Sequence, residues 1–219
     1  MSAKPITDPT AWSIRPHRPD DLDRIFEITV RTGAAGRDAT DLVDEPRLFG
    51  ELWSAPYVTL EPEHAHVLDD GTGDVIGYAI GAVDAIAFEA RCEWKWWPAA
   101  RARHPIVAGG QRLDDLLIAL IHDRPEPDRR FADRFPSELH IDLLPVAQGL
   151  GWGRRLMEAV LESLRSAGSP GVHLGTSRDN DRAIAFYEHL GFERVTEPGD
   201  PGLTVDFALR LDHDGPVLP

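Results

Sequence analysis

The chain has 219 residues, 42% hydrophobic and 27% charged, enough for one sizeable core and ordinary for a globular protein in water. Its 37 acidic and 23 basic residues leave a net charge of −14, which repels phosphate backbones and argues against general nucleic-acid binding; it is a common solubility device and would also attract cationic partners such as amines. Cys92 is the only cysteine, so an internal disulfide and a multi-cysteine zinc site are excluded, and no stretch approaches the ~20 apolar residues of a membrane span.

Residues 1–11, with Pro5 and Pro9 and no apolar run, read as a disordered tail and not as a signal peptide, so a cytoplasmic protein is expected. Residues 12–211 read as a single domain and 212–219 as a loose C-terminal tail. Trp12 to Pro16 is a short first strand. Asp20 and Asp21 offer an N-cap and acidic first turn to a helix carrying Leu22, Ile25, Phe26 and Thr29 at helical spacing. Asp41 to Trp53 is a weaker second helix, with Leu42, Leu48, Phe49 and Leu52. Ala65 to Leu68 and Val75 to Val83 read as strands joined by a turn at Asp69-Asp70-Gly71-Thr72-Gly73. Residues 84–136 carry Trp94, Trp96 and Trp97, then an amphipathic helix with Leu113, Leu116, Leu117, Leu120 and Ile121 on one face, ended by Pro125 and Pro127. This stretch reads as an insertion between two core strands, too short and proline-broken for a core of its own.

The second half is more regular. Leu139 to Leu144 is a strand, and Gly149 to Ala167 a helix with Leu156, Met157, Val160, Leu161 and Leu164 inward and Gly168 closing it. Gly171 to Thr176 is a strand, Asn180 to Leu190 a helix ended by Gly191, and Phe192 to Val195 a strand. Leu203, Val205, Phe207 and Leu209 alternate in the last strand. Between the first strand and helix of this half lies Gln148-Gly149-Leu150-Gly151-Trp152-Gly153, followed by Arg154-Arg155. A helix's first turn exposes N–H groups without internal partners, its dipole is positive there, and glycines let the backbone approach a ligand. The combination is an anion cradle, suited to a pyrophosphate. The dinucleotide fingerprint would need glycine where Arg154 stands, and the nucleoside-triphosphate loop is absent.

The run Gln-x-x-Gly-x-Gly resembles the coenzyme A loop of the GCN5-related N-acetyltransferases (GNAT). The segment Asn180 to Phe192, with Ala183, Phe186-Tyr187 and Gly191-Phe192, resembles the closing motif of that family. Three further stretches, Gly77 to Asp84, Cys92 to Pro98 and Phe135-Pro136 through Ile141-Asp142, are similar to the acetyltransferase-like branch found at the C-terminus of O-GlcNAcase. The resemblance implies an α/β GNAT fold: a mixed, mostly antiparallel central sheet of about seven strands flanked by helices, with a helical insertion between the third and fourth strands. It implies acetyl-CoA as cofactor and acetyl transfer to an amine, either a small molecule or a peptide lysine. The alternative is a catalytically inactive acyl-CoA-binding, sensing or protein-interaction module. A homodimer stays open.

For the reaction, the resemblance implies Tyr187 as donor to the leaving thiol, Asn180 as anchor of the pantetheine arm, and backbone N–H groups after the central strand as stabilisers of the thioester oxygen. Pro145 cannot donate, which leaves Leu143, Leu144, Val146 and Ala147. Alternation puts His140 and Asp142 on one strand face, where a polar pair is costly unless used or paired. Asp142 is the first candidate for the base, His140 could replace or orient it, and Asp84 is the third. Trp94, Trp96 and Trp97 either wall an acceptor groove, since aromatic faces attract cations, or pack the insertion onto the core. His64 and His66 alternate on a strand, but no second ligand pair has metal spacing, so no metal is expected.

Overall fold

The computed structural model of the protein describes residues 8–106, 109–196, 202–212 and 216–218. Seven strands form one sheet in the order β1-β2-β3-β4-β5-β7-β6. They are β1 (Ser13–Pro16), β2 (Ala65–Asp69), β3 (Val75–Ala82), β4 (Ser137–Leu143), β5 (Gly171–Ser177), β6 (Glu193–Arg194) and β7 (Thr204–Arg210). The pairing of β4 with β5 is parallel, and the remaining pairs are antiparallel.

Two cores lie on the two faces. On one face α1 (Leu22–Thr32), α2 (Arg47–Trp53) and α3 (Ala55–Leu60) bury Ile25, Ile28, Leu48 and Val58 with Tyr78 and Ile80 of β3. On the other, α7 (Trp152–Ser166) and α8 (Asp181–His189) cover Leu139, Val172, Leu174 and Phe207. Helix α7 follows its sequence pattern: Leu156, Met157, Val160, Leu161 and Leu164 are fully buried. Because both faces are covered, all eight residues of β3 are buried, which is why that strand reads as a continuous apolar run.

Residues 84–136 supply α4 (Ala85–Lys95), α5 (Trp97–Arg103) and α6 (Leu113–His122) between β3 and β4. Phe88, Cys92, Trp97, Leu117 and Ile121 join the same buried cluster as Ile25.

Several sequence expectations are corrected. Asp21 does not cap α1; its carboxylate receives the Arg15 guanidinium at 2.7 and 2.8 Å and the Arg18 N–H at 2.7 Å. The helix expected over Asp41 to Trp53 is a 3-10 turn, Thr40–Leu42, followed by α2. Asp114 explains the break: its carboxylate accepts the backbone N–H groups of Asp44 and Glu45, which pins the chain out of helical register. Leu42 is exposed, and on α6 Leu116 and Leu120 face outward while Leu117 and Ile121 carry the packing. Helices α3, α4 and α5 were not foreseen. Helix α7 starts at Trp152 rather than Gly149, because Gly149 and Gly151 take φ of 76° and 80°. In the C-terminal tail Val217 and Leu218 are buried against the second core. The tail reading of residues 1–7, 213–215 and 219 lies outside the described residues.

Candidate active site

Strands β4 and β5 pair only at Ser137 with Val172 and Glu138 with His173, and then part. Toward β3 the register continues to Leu143, and the Leu144 N–H donates to the Ile76 carbonyl at 3.0 Å. Antiparallel pairs alternate between bonded and non-bonded, so even-numbered residues of β4 turn their backbone groups to β3. Those of Ile141 and Leu143 therefore face the gap. The gap opens into a cleft of 390 Å³ lined by Ile141, Asp142 and Leu143, by the loop from Gln148 to Arg154, and by Asn180, Phe186 and Tyr187.

The loop forms one wall. A Cβ at Gly149 or Gly151 would meet nothing within 4 Å, so both glycines stand clear of the protein. Gly151 precedes α7 without a side-chain cap, and the first helical bond is from Arg155 N–H to the Gly151 carbonyl at 3.4 Å. The N–H groups of Trp152, Gly153 and Arg154 are left to the cleft, at the positive end of a 15-residue helix. Gln148 braces the turn: its amide donates to the Leu143 carbonyl at 2.7 Å, and its oxygen accepts from Arg182. Arg154 lines the cleft and pairs with Glu158 at 2.9 Å.

Some predicted cofactor residues serve the scaffold instead. Leu144 is buried and its N–H is spent on Ile76; Ala147 N–H bonds the Leu144 carbonyl at 2.9 Å. Val146 sits in the 3-10 turn Pro145–Ala147 and packs on the first core. Of the predicted oxyanion donors, the Leu143 N–H is directed into the gap by strand alternation. The Trp152 ring is buried 6.1 Å from Trp12 and Leu150 is exposed, so neither side chain joins the cleft. Gly153 also admits Phe186, which a Cβ would meet at 3.3 Å.

The opposite wall is α8. Asn180 caps it by accepting the Ala183 N–H at 3.1 Å, and its amide abuts Gly36, where a Cβ would lie 3.2 Å from Nδ2. The turn after α1 thus closes on the start of α8. Tyr187 is buried among Phe186, Phe192 and Phe207 but reaches the cleft. Burial, then the charge of Asp142, raises its pKa well above that of a free phenol, so the hydroxyl keeps its proton.

Asp142 is half-buried at the floor of the cleft. Removal from water pushes its pKa up to about 6, against the lowering effect of hydrogen bonds from Tyr78 and Thr32. Tyr78, its register partner on β3, donates to Oδ2 at 2.5 Å, and Thr29 lies 3.0 Å from the same phenol. His140 shares the strand face but belongs to another chain of contacts: its Nε2 meets the Tyr57 hydroxyl at 3.2 Å, and Tyr57 donates to Glu138 at 3.0 Å. It therefore does not orient Asp142 directly.

Asp84 lies beyond the end of β3 that is far from the loop, between Val83, whose carbonyl accepts from Ser137, and Ala85, whose N–H donates to Pro136, and it caps α4 through the Ala87 N–H at 3.0 Å. It stands with none of the cleft residues. Trp96 and Trp97 pack the insertion, Trp94 does not, and none of the three lines the cleft. Trp97 is buried with its Nε1 on Glu89 at 2.8 Å, Trp96 donates to the Glu51 carbonyl at 3.0 Å, and Trp94 is 85% exposed. His64 bonds Ser163 at 2.6 Å through Nδ1. Sequence reasoning missed Tyr78, Thr32, Gly36, Arg182 and Phe186. Arg182 and Phe186 stood in the closing segment and Tyr78 in the stretch Gly77 to Asp84, without a role; Thr32 and Gly36 come from an element whose approach no local pattern announces.

Residues 35–192, which include every cleft residue except Thr32, match the model of the Acetyltransferase (GNAT) family. The chain is 26% identical over 203 residues to the Protein O-GlcNAcase of Rattus norvegicus, covering 90% of this chain and 22% of that one. The chain thus spans under a quarter of that relative's length. Against a Mycothiol acetyltransferase of Beutenbergia cavernae it is 42% identical over 130 residues, 49% of this chain and 43% of the relative. Among solved structures, SsHAT superposes with a TM-score of 0.85 at 40% identity, covering 92% of this chain and 99% of its own. The putative acetyltransferase yncA from Salmonella typhimurium, solved with acetyl-CoA, shares the fold at a TM-score of 0.55 and 20% identity, covering 94% and 98%. A splayed sheet, a glycine turn opening a long helix, and a family match across both make this chain a member of the GNAT acetyltransferase family.

Proposed function

We propose that the protein transfers the acetyl group of acetyl-CoA to a primary amine by direct attack in a ternary complex. The observation that carries this reading is the convergence of three parts on one gap: the anion cradle at residues 148–154, the raised-pKa carboxyl of Asp142 and the protonated Tyr187. Acetyl-CoA supplies the acetyl group as a thioester. The N–H groups of Gly151 to Arg154 suit its diphosphate, and the backbone of Ile141 and Leu143 suits its extended amide-bearing arm. The fit is supported by the empty space over Gly149 and Gly151, which a side chain would fill.

Asp142 takes the proton that the ammonium must lose before its nitrogen can attack. A carboxyl with pKa about 6 is ionised at neutral pH and is a stronger base than a free aspartate. The Leu143 N–H donates to the carbonyl oxygen as negative charge builds there. Tyr187 holds its proton at Oη and presents it to the sulfur as the carbon–sulfur bond breaks. The attacking nitrogen loses its second proton as the amide forms, and that proton replaces the one Tyr187 gives to the sulfur; the proton on Asp142 returns to solvent, so one proton is released per amide formed.

The test is acetyl-CoA-dependent thiol release with a panel of amines and lysine peptides. Asp142→Asn and Tyr187→Phe are each expected to lower turnover by about 10²-fold or more while leaving acetyl-CoA affinity within a few-fold. Unchanged turnover in both variants, or thiol release that ignores the amine, would refute the roles assigned.

A further inference from the structure

Asp142 occupies one end of a column on β4. Glu138, His140 and Asp142 point to the same face, since strand side chains repeat every second residue. The column runs from Glu138, still paired with β5, to Asp142, which lines the cleft where β5 has left β4. Tyr57 donates its hydroxyl proton to Glu138 Oε2 at 3.0 Å, so the Tyr57 oxygen can only accept from His140. The ring is thereby held as the Nε2–H tautomer, and Nδ1 carries a lone pair. Tyr57 is buried and stacked on Phe88 at 4.3 Å, which fixes the plane of the contact. His140 is only partly buried; its Nδ1 has no hydrogen-bond partner among the described residues and is not among the buried atoms that lack one. It reaches solvent. Burial also lowers the His140 pKa, which keeps the ring neutral and its lone pair available.

We propose that His140 Nδ1 is a recognition site for the acetyl acceptor, selecting an amine that carries a second N–H donor about 7 Å from the nitrogen that is acetylated, with Tyr57 and Glu138 as positioning residues. The spacing is one strand repeat, the separation of Asp142 from His140. It rests on the transferase reading only in taking Asp142 as the point where the reacting nitrogen sits. The chemistry required is a flexible tether with an amine at one end and an N–H at the other. A free α,ω-diamine has it, and so does a lysine side chain with its own backbone N–H. A simple alkylamine lacks it.

The test is calorimetric titration of cadaverine, Nα-acetyl-lysine amide and n-pentylamine into the full chain saturated with coenzyme A. Cadaverine, the lysine amide or both are expected to bind about tenfold more tightly than n-pentylamine, the effect of one hydrogen bond from a charged or polar donor. Preference for cadaverine alone identifies a free diamine as the source, and preference for the lysine amide alone identifies a peptide. His140→Leu should bring the ratio to about one, and His140→Asn, which keeps an acceptor oxygen, should retain part of it. Nitrogen-15 spectra of the native protein should show His140 as the Nε2–H tautomer and Tyr57→Phe should mix the tautomers, a change that loss of packing alone would not produce. Equal binding of all three probes, a preference that survives His140→Leu, or an Nδ1–H tautomer would overturn the inference. A preference lost on His140→Leu in a protein that acetylates none of the three would retain the site and reject the transferase reading.

Discussion

At the scale of single residues, the sign of the Asp142 shift fixes two outcomes. A free aspartate titrates near ~3.9, whereas burial holds Asp142 at about 6 in the native protein. The folded state therefore binds the proton more tightly: stability is gained as pH falls through about 6, and above it the charged group is a constant cost. Asp142→Asn is expected to raise stability at pH 7.5 by ~1–2 kcal/mol while turnover falls, a separation that melting curves and thiol release measure together. In the native protein kcat/KM should rise through pH about 6 as the base loses its proton, and a profile flat from pH 5 to 8 would remove Asp142 from that role. The candidacy of Asp142 was legible because alternation on a strand is a local pattern. Its tyrosine was not: Tyr78 stands 64 residues away, and the register joining them is absent from either strand's own sequence. The tryptophans show the converse limit. Residue type identified Trp94, Trp96 and Trp97 as conspicuous, yet which way each ring turns depends on how α4 and α5 dock.

At the scale of elements, the glycine turn and α8 were readable because their chemistry is set by neighbours in sequence. Gly149 and Gly151 need left-handed backbone, and Asn180 lies three residues before the N–H that it caps. Helices α3 to α5 were hidden for physical reasons. Helix α3 has six residues with Pro56 in its first turn, and α4 buries only Ala85, Phe88 and Cys92. Neither gives a strong periodic stripe. Asn180 joins two elements, since it caps α8 and contacts Gly36 in the turn after α1. Asn180→Ala is expected to cost about 1 kcal/mol in chemical denaturation, the usual loss of a cap. It should also weaken acetyl-CoA binding, because the turn loses the group it closes on. Denaturation with no loss in either quantity would show the cap to be incidental.

At the scale of the whole molecule, two cores on two faces fix where the sheet can open. Helices α1 to α6 hold one face of β3 and β4, α7 and α8 hold the other, and the parting of β4 from β5 lies between these supports. A mixed, mostly antiparallel sheet of about seven strands was expected from the family resemblance, and packing of the insertion onto the core was one of two readings of its tryptophans; which contacts make that join was not readable, because Trp96 and Arg103 meet Glu51 from about fifty residues away. The net charge of −14 acts on encounter rather than on fold. KM for a cationic amine is expected to rise from low salt to about 0.3 M salt, where screening shortens below the protein's dimensions. KM for acetyl-CoA, an anion, should fall or hold over the same range. Equal responses of the two would separate the surface charge from acceptor capture.

The measurement that bears most directly on the account is calorimetric binding of acetyl-CoA to the native chain and to Gly151→Ala. Gly151 has φ of 80° and opens the first turn of α7. A Cβ there strains the backbone by about 1–2 kcal/mol and intrudes on the space where the diphosphate would rest. The account predicts a clear one-to-one heat for the native chain and an affinity at least about tenfold weaker for the variant, while both melt as folded proteins. No heat from the native chain, or equal heats from the two, would contradict the claim that these amides grip the cofactor.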